Sequence, residues 1–308
     1  MRTGKNKKLM TALVGVALLI VVSWLVIGHA RQASEPEVQV LRLALIPADD
    51  IDTMINRFEP VRQYLETELG IPIEIFRATS YTAVVEAMRA EKIEVAMFGP
   101  LAYVLAAERA NARPIVTTGS ADGQPGVYFS VLLTNRDTGI QNIDDVKARA
   151  SELTLAFVDP ASTSGYLVPK GFFKSIGIDV DKAFEEVVFA GGHDAALLAV
   201  HARTADLSTT TAARHQRAVE AGIIDGNDVR IIWKSDPIPN SPFAVRGDLD
   251  EALIRRIQQA FLDMHVKAPA VFAEWVRGEE AYVAVTTENY DFVRQVAIGL
   301  GIIEAPRR

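Results

Sequence analysis

The sequence predicts an α/β protein of two open lobes that are joined by a two-segment hinge. Three observations support this fold class. Strand-like and helix-like segments alternate over residues 40–100, a second alternating series follows residue 126, and long extended segments occupy residues 126–135 and 229–246. Such alternation is typical of parallel βαβ units, and two units with two extended connections suggest a ligand-binding crevice between them.

The first series contains three predicted strands and two predicted helices. The runs VLRLALIP (residues 40–47), IPIEIFRAT (71–79) and EVAMFGP (94–100) have the apolar and β-branched content of strands. Between them, FEPVRQYLETELG (58–70) and YTAVVEAMRAEKI (81–93) have helical patterns, and the first of these ends at a glycine.

The second series begins with GVYFSVLLTN, which we interpret as one long strand. The strand LTLAFVDP, the helix YLVPKGFFKSIG, the strand FEEVVFAGG and the helix HDAALLAVHA follow. The second extended segment, with its three prolines, leads into the helical stretches DEALIRRIQQAFLDMHVKA and ENYDFVRQVAIGLG. We therefore expect residues 37–125 and 244–308 to form lobe 1, and residues 126–243 to form lobe 2 with the hinge segments.

Residues 1–36 have the pattern of an export segment followed by a short polar linker. Four basic residues precede an apolar run from Leu9 to Gly28 that contains no charge. This run fits a cleaved signal peptide, and it also fits a transmembrane helix that anchors the protein. Because the basic residues precede the run, the positive-inside rule places the globular part outside the cytoplasm, and both alternatives stay open.

Composition excludes several classes of function. The chain has 308 residues and no cysteine, so it can form no disulfide, thiolate zinc site or cysteine nucleophile. Without the four basic residues at the start, the formal charge changes from −7 to about −11, which argues against a nucleic-acid partner. No nucleotide-binding or hydrolase motif is present, and the five histidines lack metal-ligand spacing. We expect no cofactor, no metal and no enzymatic activity.

The run DPASTSG, residues 159–165, is the strongest candidate for a binding site. Ser162, Thr163 and Ser164 follow a predicted strand and precede a predicted helix. Hydroxyls and free backbone N–H groups at a helix start can bind an anion, with help from the helix dipole. An ordinary helix cap is the alternative, but one hydroxyl would be enough for that purpose.

Three other loops have the same layout, because each follows a strand and opens a helix. They contain His193 with Asp194, which could cap the helix or orient the imidazole, Thr79 and Ser80 with Tyr81, and Gly99 and Pro100 with Tyr103. Since the carboxyl ends of parallel strands meet at one edge of a sheet, these loops should lie near one another. We expect a compact polar ligand that is held by hydrogen bonds and not by a lysine or arginine clamp.

These segments together resemble the phosphonate-, phosphite- and phosphate-binding proteins of ABC importers, which are two-lobed periplasmic solute receptors. The stretches that match are ATSYTAVVEAM, EVAMFGPLAYV, DPASTSGYLVP, GGHDAALLAV and IWKSDPIPNSPFAVR. The resemblance implies the type II periplasmic-binding-protein architecture and a periplasmic location. It also implies an ABC permease as partner and a phosphorus oxyanion as ligand, bound by Ser162, Thr163, Ser164, His193, Tyr81 and Tyr128.

One departure from the family pattern bears on the ligand. Similar members that bind aminoalkylphosphonates carry acidic residues for the ammonium group, whereas the corresponding positions here are Ala213 and Ser241. Neither can pair with a cation, so we expect phosphite, a small alkylphosphonate or phosphate. Asp206 is the nearby acid that could still bind an amine or accept a proton from a P–OH group.

Two other classes of function are alternatives to transport. A membrane-tethered sensing module of the same fold, acting through a partner, is the alternative to transport because Leu9 to Gly28 is long enough for an anchor. A phosphoester or phosphonate hydrolase is disfavoured, because the sequence offers no metal ligands and no activated nucleophile.

Overall fold

Two β-sheets and a two-stranded ribbon form the framework of the computed structural model, which describes residues 38–305. The strands are β1 (Leu41–Leu45), β2 (Ile73–Phe76), β3 (Val95–Met97), β4 (Arg113–Gly119), β5 (Val127–Tyr128), β6 (Ser130–Asn135), β7 (Thr154–Phe157), β8 (Glu186–Phe189), β9 (Leu207–Thr211), β10 (Val229–Lys234), β11 (Ile238–Pro239), β12 (Phe243–Val245) and β13 (Ala281–Ala284).

Eleven α-helices connect these strands in the described part of the chain. They are α1 (Ile51–Leu69), α2 (Tyr81–Arg89), α3 (Pro100–Ala110), α4 (Ile143–Arg149), α5 (Val168–Ser175), α6 (Val180–Ala183), α7 (His193–His201), α8 (Ala212–Glu220), α9 (Glu251–Lys267), α10 (Pro269–Trp275) and α11 (Asp291–Gly299). A π-helical turn at Thr163–Leu167 leads directly into α5.

Both sheets are mixed. The six-stranded sheet has the order β13-β4-β12-β3-β1-β2, in which β1 is parallel to β2 and β3, and β12 is antiparallel to β3. The five-stranded sheet has the order β10-β6-β9-β7-β8, in which β7 is parallel to β8 and β9, and β6 is antiparallel to β9. The predicted parallel units therefore exist, but antiparallel strands extend each sheet.

The prediction of one long strand over residues 126–135 is wrong. β5 pairs with β11 in the separate ribbon, whereas β6 lies in the five-stranded sheet between β9 and β10. Phe129 separates the two strands. Before this residue the chain pairs with β11, and after it the chain pairs with β9 and β10. The two extended segments of the sequence therefore meet as a ribbon, which supports a two-segment connection. The lobe boundaries at residues 125/126 and 243/244 stay a prediction.

Other differences concern the ends and the number of elements. α1 begins seven residues before the predicted helix start at residue 58, because the Asp50 side chain accepts the Thr53 amide and caps the helix there. Pro60 lies inside α1. Strands β4 and β13 were not predicted; they pair with each other in antiparallel register and extend the six-stranded sheet.

Aromatic side chains fill the core against the six-stranded sheet. Phe243 of β12 lies 4.4 Å from Phe261 and 5.9 Å from Tyr282, measured between ring centroids. Phe243 is 2% exposed. This packing fixes β12, which directly follows the second extended segment, and so fixes one end of that connection.

The predicted signal peptide or anchor at residues 9–28 lies outside the described residues. Among residues 38–305, none of the helices is both long enough and apolar enough to cross a membrane.

Gly165 allows the π-helical turn to pack directly on the end of β7. A Cβ atom at this position would lie 2.4 Å from the Cβ of Val158 and 2.7 Å from the Ser162 hydroxyl. The turn must therefore move away if any side chain is added.

We predict that Gly165→Ala lowers the free energy of unfolding by about 1–3 kcal/mol, the usual cost of overpacking a filled site. Gly299→Ala is the matched control, because no atom lies within 4 Å of a Cβ built at Gly299. Urea unfolding of both variants measures the difference. Equal stability of the two variants would show that the turn has room to adjust.

Candidate functional site

A cleft of about 350 Å³ is lined by residues from elements of both sheets. Seven of the eight predicted site residues lie in its wall: Tyr81, Gly99, Tyr128, Ser162, Thr163, Ser164 and His193. The loops of the four strand ends do meet, as the sequence predicts.

The three hydroxyl residues are buried and have different hydrogen-bond roles. Each is 1–2% exposed. The Ser162 hydroxyl accepts the Gly165 amide at 3.0 Å and so caps the turn. The Thr163 hydroxyl accepts the Leu101 amide at 2.8 Å, which caps the start of α3. Ser162 and Thr163 are therefore helix caps as well as cleft residues. Because each hydroxyl oxygen accepts an amide hydrogen bond, its own proton can still be donated.

Two tyrosines supply phenol groups to the cleft. Burial raises the pKa of Tyr128 to about 12, and hydrogen bonding to the Ser164 and Thr163 side chains opposes this rise. Burial also raises the pKa of Tyr81, and the Asp159 carboxylate adds to the effect. Both phenols therefore keep their protons at neutral pH and can donate hydrogen bonds to an anion.

His193 opens α7 and is 5% exposed. Its amide donates to the Ala48 carbonyl at 2.9 Å, and its Nδ1 lies 3.2 Å from the Thr210 hydroxyl oxygen. Burial lowers the pKa of His193 to about 4, so the imidazole is neutral at physiological pH. Because Nδ1 contacts Thr210, Nε2 is the nitrogen available to a ligand.

Two neighbouring acids do not take the roles that the sequence suggests. Asp194 does not orient His193; its carboxylate lies 3.7 Å from the Arg214 guanidinium. Asp206 is absent from the cleft wall and lies in a separate cavity with Asn135 and Arg203. The Asp206 carboxylate accepts the Thr154 amide at 2.8 Å. Its predicted role as amine or P–OH partner is therefore not supported by its position.

The expectation of a ligand held without a lysine or arginine clamp did not foresee that arginines line the cleft. Arg57, Arg214 and Arg277 line the cleft together with the acids Asp49 and Glu279. Arg214 forms an ion pair with Asp49. The arginines come from three separate segments, so no local pattern could show that they converge. Arg214 alone carried a signal, since it stands next to Ala213.

Ala213 and Ser241 both line the cleft, as predicted. The Ser241 carbonyl accepts the Thr117 hydroxyl at 2.9 Å. A carboxylate nevertheless lies near, because the Glu279 side chain accepts the Asn240 side-chain amide at 2.8 Å. Glu279 belongs to the loop before β13, which sequence reasoning did not associate with the site.

The described residues offer no cluster of three or more histidine, aspartate or glutamate side chains that could hold a metal ion. The cleft wall presents hydrogen-bond donors, protonated phenols and arginines, all of which favour an anion.

Comparison with known proteins places these features in a family. Residues 43–290 match the model of the periplasmic substrate-binding protein of phosphonate ABC transporters. The chain is 29% identical over 258 residues to a phosphonates-binding periplasmic protein of Escherichia coli, covering 84% of this chain and 75% of the relative. It is 32% identical over 276 residues to the phosphate-import protein PhnD of Mycolicibacterium smegmatis, covering 84% and 85% respectively.

A solved structure shows the same fold. The binding-protein component of an ABC phosphonate transporter from Pseudomonas aeruginosa superposes with a TM-score of 0.77 at 27% identity, covering 85% of this chain and 87% of that chain.

The buried neutral histidine makes stability depend on pH. The unfolded chain binds a proton at His193 near the ordinary pKa of 6.5, whereas the folded protein does so only near 4. Stability from this residue is therefore complete above about pH 6.5 and is lost as the pH falls toward 4.

We predict that lowering the pH from 7.5 to 5 costs the ligand-free protein roughly 2 kcal/mol more than it costs the His193→Gln variant. Urea unfolding at both pH values measures this difference, and His201→Gln serves as the control for loss of an imidazole elsewhere. The same pH dependence in all three proteins would assign the titration to other groups.

Proposed function

The chain belongs to the periplasmic substrate-binding proteins of phosphonate ABC transporters, and on that premise we propose that its cleft captures a small phosphorus oxyanion for an ABC permease. The observation that carries this proposal is the buried turn of Ser162, Thr163 and Ser164, which shares the cleft with His193 and two protonated tyrosines. These groups offer neutral donors from several directions, as a tetrahedral oxyanion requires.

Each donor group has a role in this proposal. The hydroxyls of Ser162, Thr163 and Ser164 and the phenols of Tyr81 and Tyr128 donate to phosphoryl oxygens. His193 donates from Nε2, and its unprotonated Nδ1 then accepts a hydrogen bond from the Thr210 hydroxyl. Gly99 lies in the wall beside these donors, since a Cβ there would make ordinary contacts at 3.8 Å with the Tyr81 ring and at 3.9 Å with the Thr163 hydroxyl oxygen.

Closure of the cleft is supported by contacts between elements of the two sheets. The Thr163 hydroxyl accepts the Leu101 amide, the His193 amide donates to the Ala48 carbonyl, and Arg214 pairs with Asp49. A ligand that touches both sides adds to these contacts only when the cleft is closed, which couples binding to closure. The strand order 2-1-3 beside β12 supports the type II architecture and the two-lobe division.

Membership of the family supports a periplasmic location and a permease partner, because the family consists of the periplasmic substrate-binding proteins of ABC transporters. Sensing through a partner is not favoured, because the matching family model is that of an ABC transporter component and one relative is named a phosphate-import protein. We propose no catalytic role, since a receptor must release its ligand unchanged. An assay with a chromogenic phosphoester tests this point, and turnover that disappears in Ser162→Ala would overturn it.

The ligand in this proposal carries no amine. Ala213 and Ser241 leave the cleft without carboxylates at these two positions, and Arg57 and Arg277 add positive charge. Among the described residues of the wall, Glu279 is the acid that forms no ion pair, and its carboxylate already accepts the Asn240 side-chain amide. An ammonium group would therefore meet more like charge than opposite charge.

We predict that methylphosphonate, phosphite or phosphate binds more tightly than 2-aminoethylphosphonate in isothermal titration calorimetry. Ser164→Ala should weaken binding of the best of these anions by about 10-fold, because a lost hydrogen bond to a charged group costs about 1.5–3 kcal/mol. Ser175→Ala removes an exposed hydroxyl of α5, bonded to the Phe172 carbonyl, and should leave affinity unchanged.

Two results would contradict this function. Tighter binding of 2-aminoethylphosphonate would reject the ligand class without an amine. Absence of binding to all four compounds would reject the phosphorus oxyanion itself.

A further inference from the structure

Two arginines make part of the cleft wall basic. Arg57 of α1 and Arg277 of the loop after α10 both line the cleft. Within residues 38–305, neither guanidinium lies within ion-pair distance of a carboxylate. The Nε of Arg57 is buried and has no hydrogen-bond partner among the described residues. A buried donor without a partner costs free energy unless a ligand accepts its hydrogen bond.

Arg57 is held in place by packing. Its guanidinium carbon lies 4.8 Å from the centroid of the Trp275 ring, which is a cation–π contact. The contact orients the planar guanidinium without using its donors. Arg277 follows Trp275 by two residues, and its charge lowers the pKa of Arg57 after the larger effect of burial. The two arginines are therefore close enough to repel each other.

The acids of the region are already engaged. Asp49 pairs with Arg214, and Asp194 also faces Arg214 at 3.7 Å. Glu279 accepts the Asn240 side-chain amide and lies against Gly126, beside the β5–β11 ribbon. No carboxylate of the cleft wall is thus placed to neutralise Arg57 or Arg277 in the described part of the chain.

The cleft is also larger than the oxyanion that the hydroxyl turn would hold. A tetrahedral oxyanion has five heavy atoms, and at about 30 Å³ for each water-sized group it occupies less than half of the cleft. The cleft has a volume of about 350 Å³. The wall also contains the apolar side chains Met54, Trp275 and Val276, which suit a short organic substituent.

We propose that Arg57 and Arg277 form a second anion subsite, so that the preferred ligand is a phosphonate or phosphate ester whose substituent ends in another anionic group. The phosphoryl group occupies the turn at Ser162, Thr163 and Ser164. The second group, a carboxylate or a second phosphoryl, accepts hydrogen bonds from the two guanidiniums and removes their mutual repulsion. This inference rests on the proposed oxyanion function and specifies the class of substrate.

The main competing explanation is electrostatic steering, in which the arginines attract any anion without contacting it. Arg217 separates the two explanations. It lies close enough to lower the pKa of Arg57, but it is absent from the cleft wall. Arg217→Gln therefore removes the same charge from the same neighbourhood without removing a cleft contact.

The experiment is titration calorimetry of the wild type, Arg57→Gln, Arg277→Gln and Arg217→Gln. The probes are methylphosphonate, 2-hydroxyethylphosphonate, 2-aminoethylphosphonate, phosphonoacetate, 3-phosphonopropionate and methylenediphosphonate. We expect the wild type to bind at least one of the last three about 10-fold more tightly than 2-hydroxyethylphosphonate. Arg57→Gln and Arg277→Gln should each abolish most of this preference, while Arg217→Gln should keep it.

The outcomes are separable. If all three arginine variants weaken every probe by the same factor, the arginines only steer and the subsite is rejected. If methylphosphonate binds as tightly as the probes with two anionic groups, the subsite is also rejected, while the oxyanion function stands. If none of these six probes binds, the subsite is rejected, and the titrations with phosphate and phosphite decide whether the oxyanion function stands. The carboxylate and diphosphonate probes distinguish which second group is preferred. Because Arg277 is exposed, Arg277→Gln tests the idea even if Arg57→Gln loosens the packing on Trp275.

Discussion

The run DPASTSG caps three helical starts at once, and the cleft depends on this constraint. Ser162 caps its own turn, Thr163 caps α3 through the Leu101 amide, and Asp159 accepts the Tyr81 amide of α2 at 3.4 Å. Two of these caps connect elements of the five-stranded sheet to helices that follow strands of the six-stranded sheet. Buried N–H groups at helix starts need a hydrogen-bond acceptor. The turn supplies acceptors both to its own helix and to α2 and α3, and it does so from its position between them.

The two alternatives that the sequence leaves open for this run, a helix cap and an anion-binding site, are compatible with each other. A hydroxyl oxygen that accepts an amide hydrogen bond still has its own proton to donate. Thr163 can therefore hold α3 and donate to a ligand, and Ser162 can do the same within its turn. Capping also fixes the direction of each hydroxyl, which lowers the entropy that binding must remove. In the proposed site, the same residues can thus serve both stability and recognition.

The sequence predicts those site residues that lie in loops between a strand and a helix, but not those that only tertiary packing brings to the cleft. The loops with Tyr81, Gly99, Ser162 and His193 could be predicted, because each follows a buried strand and parallel strands place their carboxyl ends together. Asp206 was misplaced because it comes before β9, at the opposite end of that strand, where it accepts the Thr154 amide. Position along the chain alone does not distinguish the two ends of a short strand.

The arginines were missed for a different reason. Arg57, Arg214 and Arg277 lie on α1, α8 and the loop after α10, and only the packing of these elements brings them to one cleft. Likewise, the split of residues 126–135 into β5 and β6 depends on partners that lie about 75 to 110 residues away in the chain. Long-range pairing of this kind leaves no periodic signal in the segment itself.

Local donors decide the binding of an anion here, although the body of the protein is acidic. At physiological ionic strength, charges more than about 8 Å apart in water are largely screened. The formal charge of −7 is spread over a much larger surface, so it contributes little inside the cleft. Within the cleft the phenols are protonated and the histidine is neutral, and two arginines have no ion-pair partner among residues 38–305. All of these features favour negative charge. The sign of the ligand therefore follows from the wall of the cleft, and the net charge of the chain is a poor guide to it.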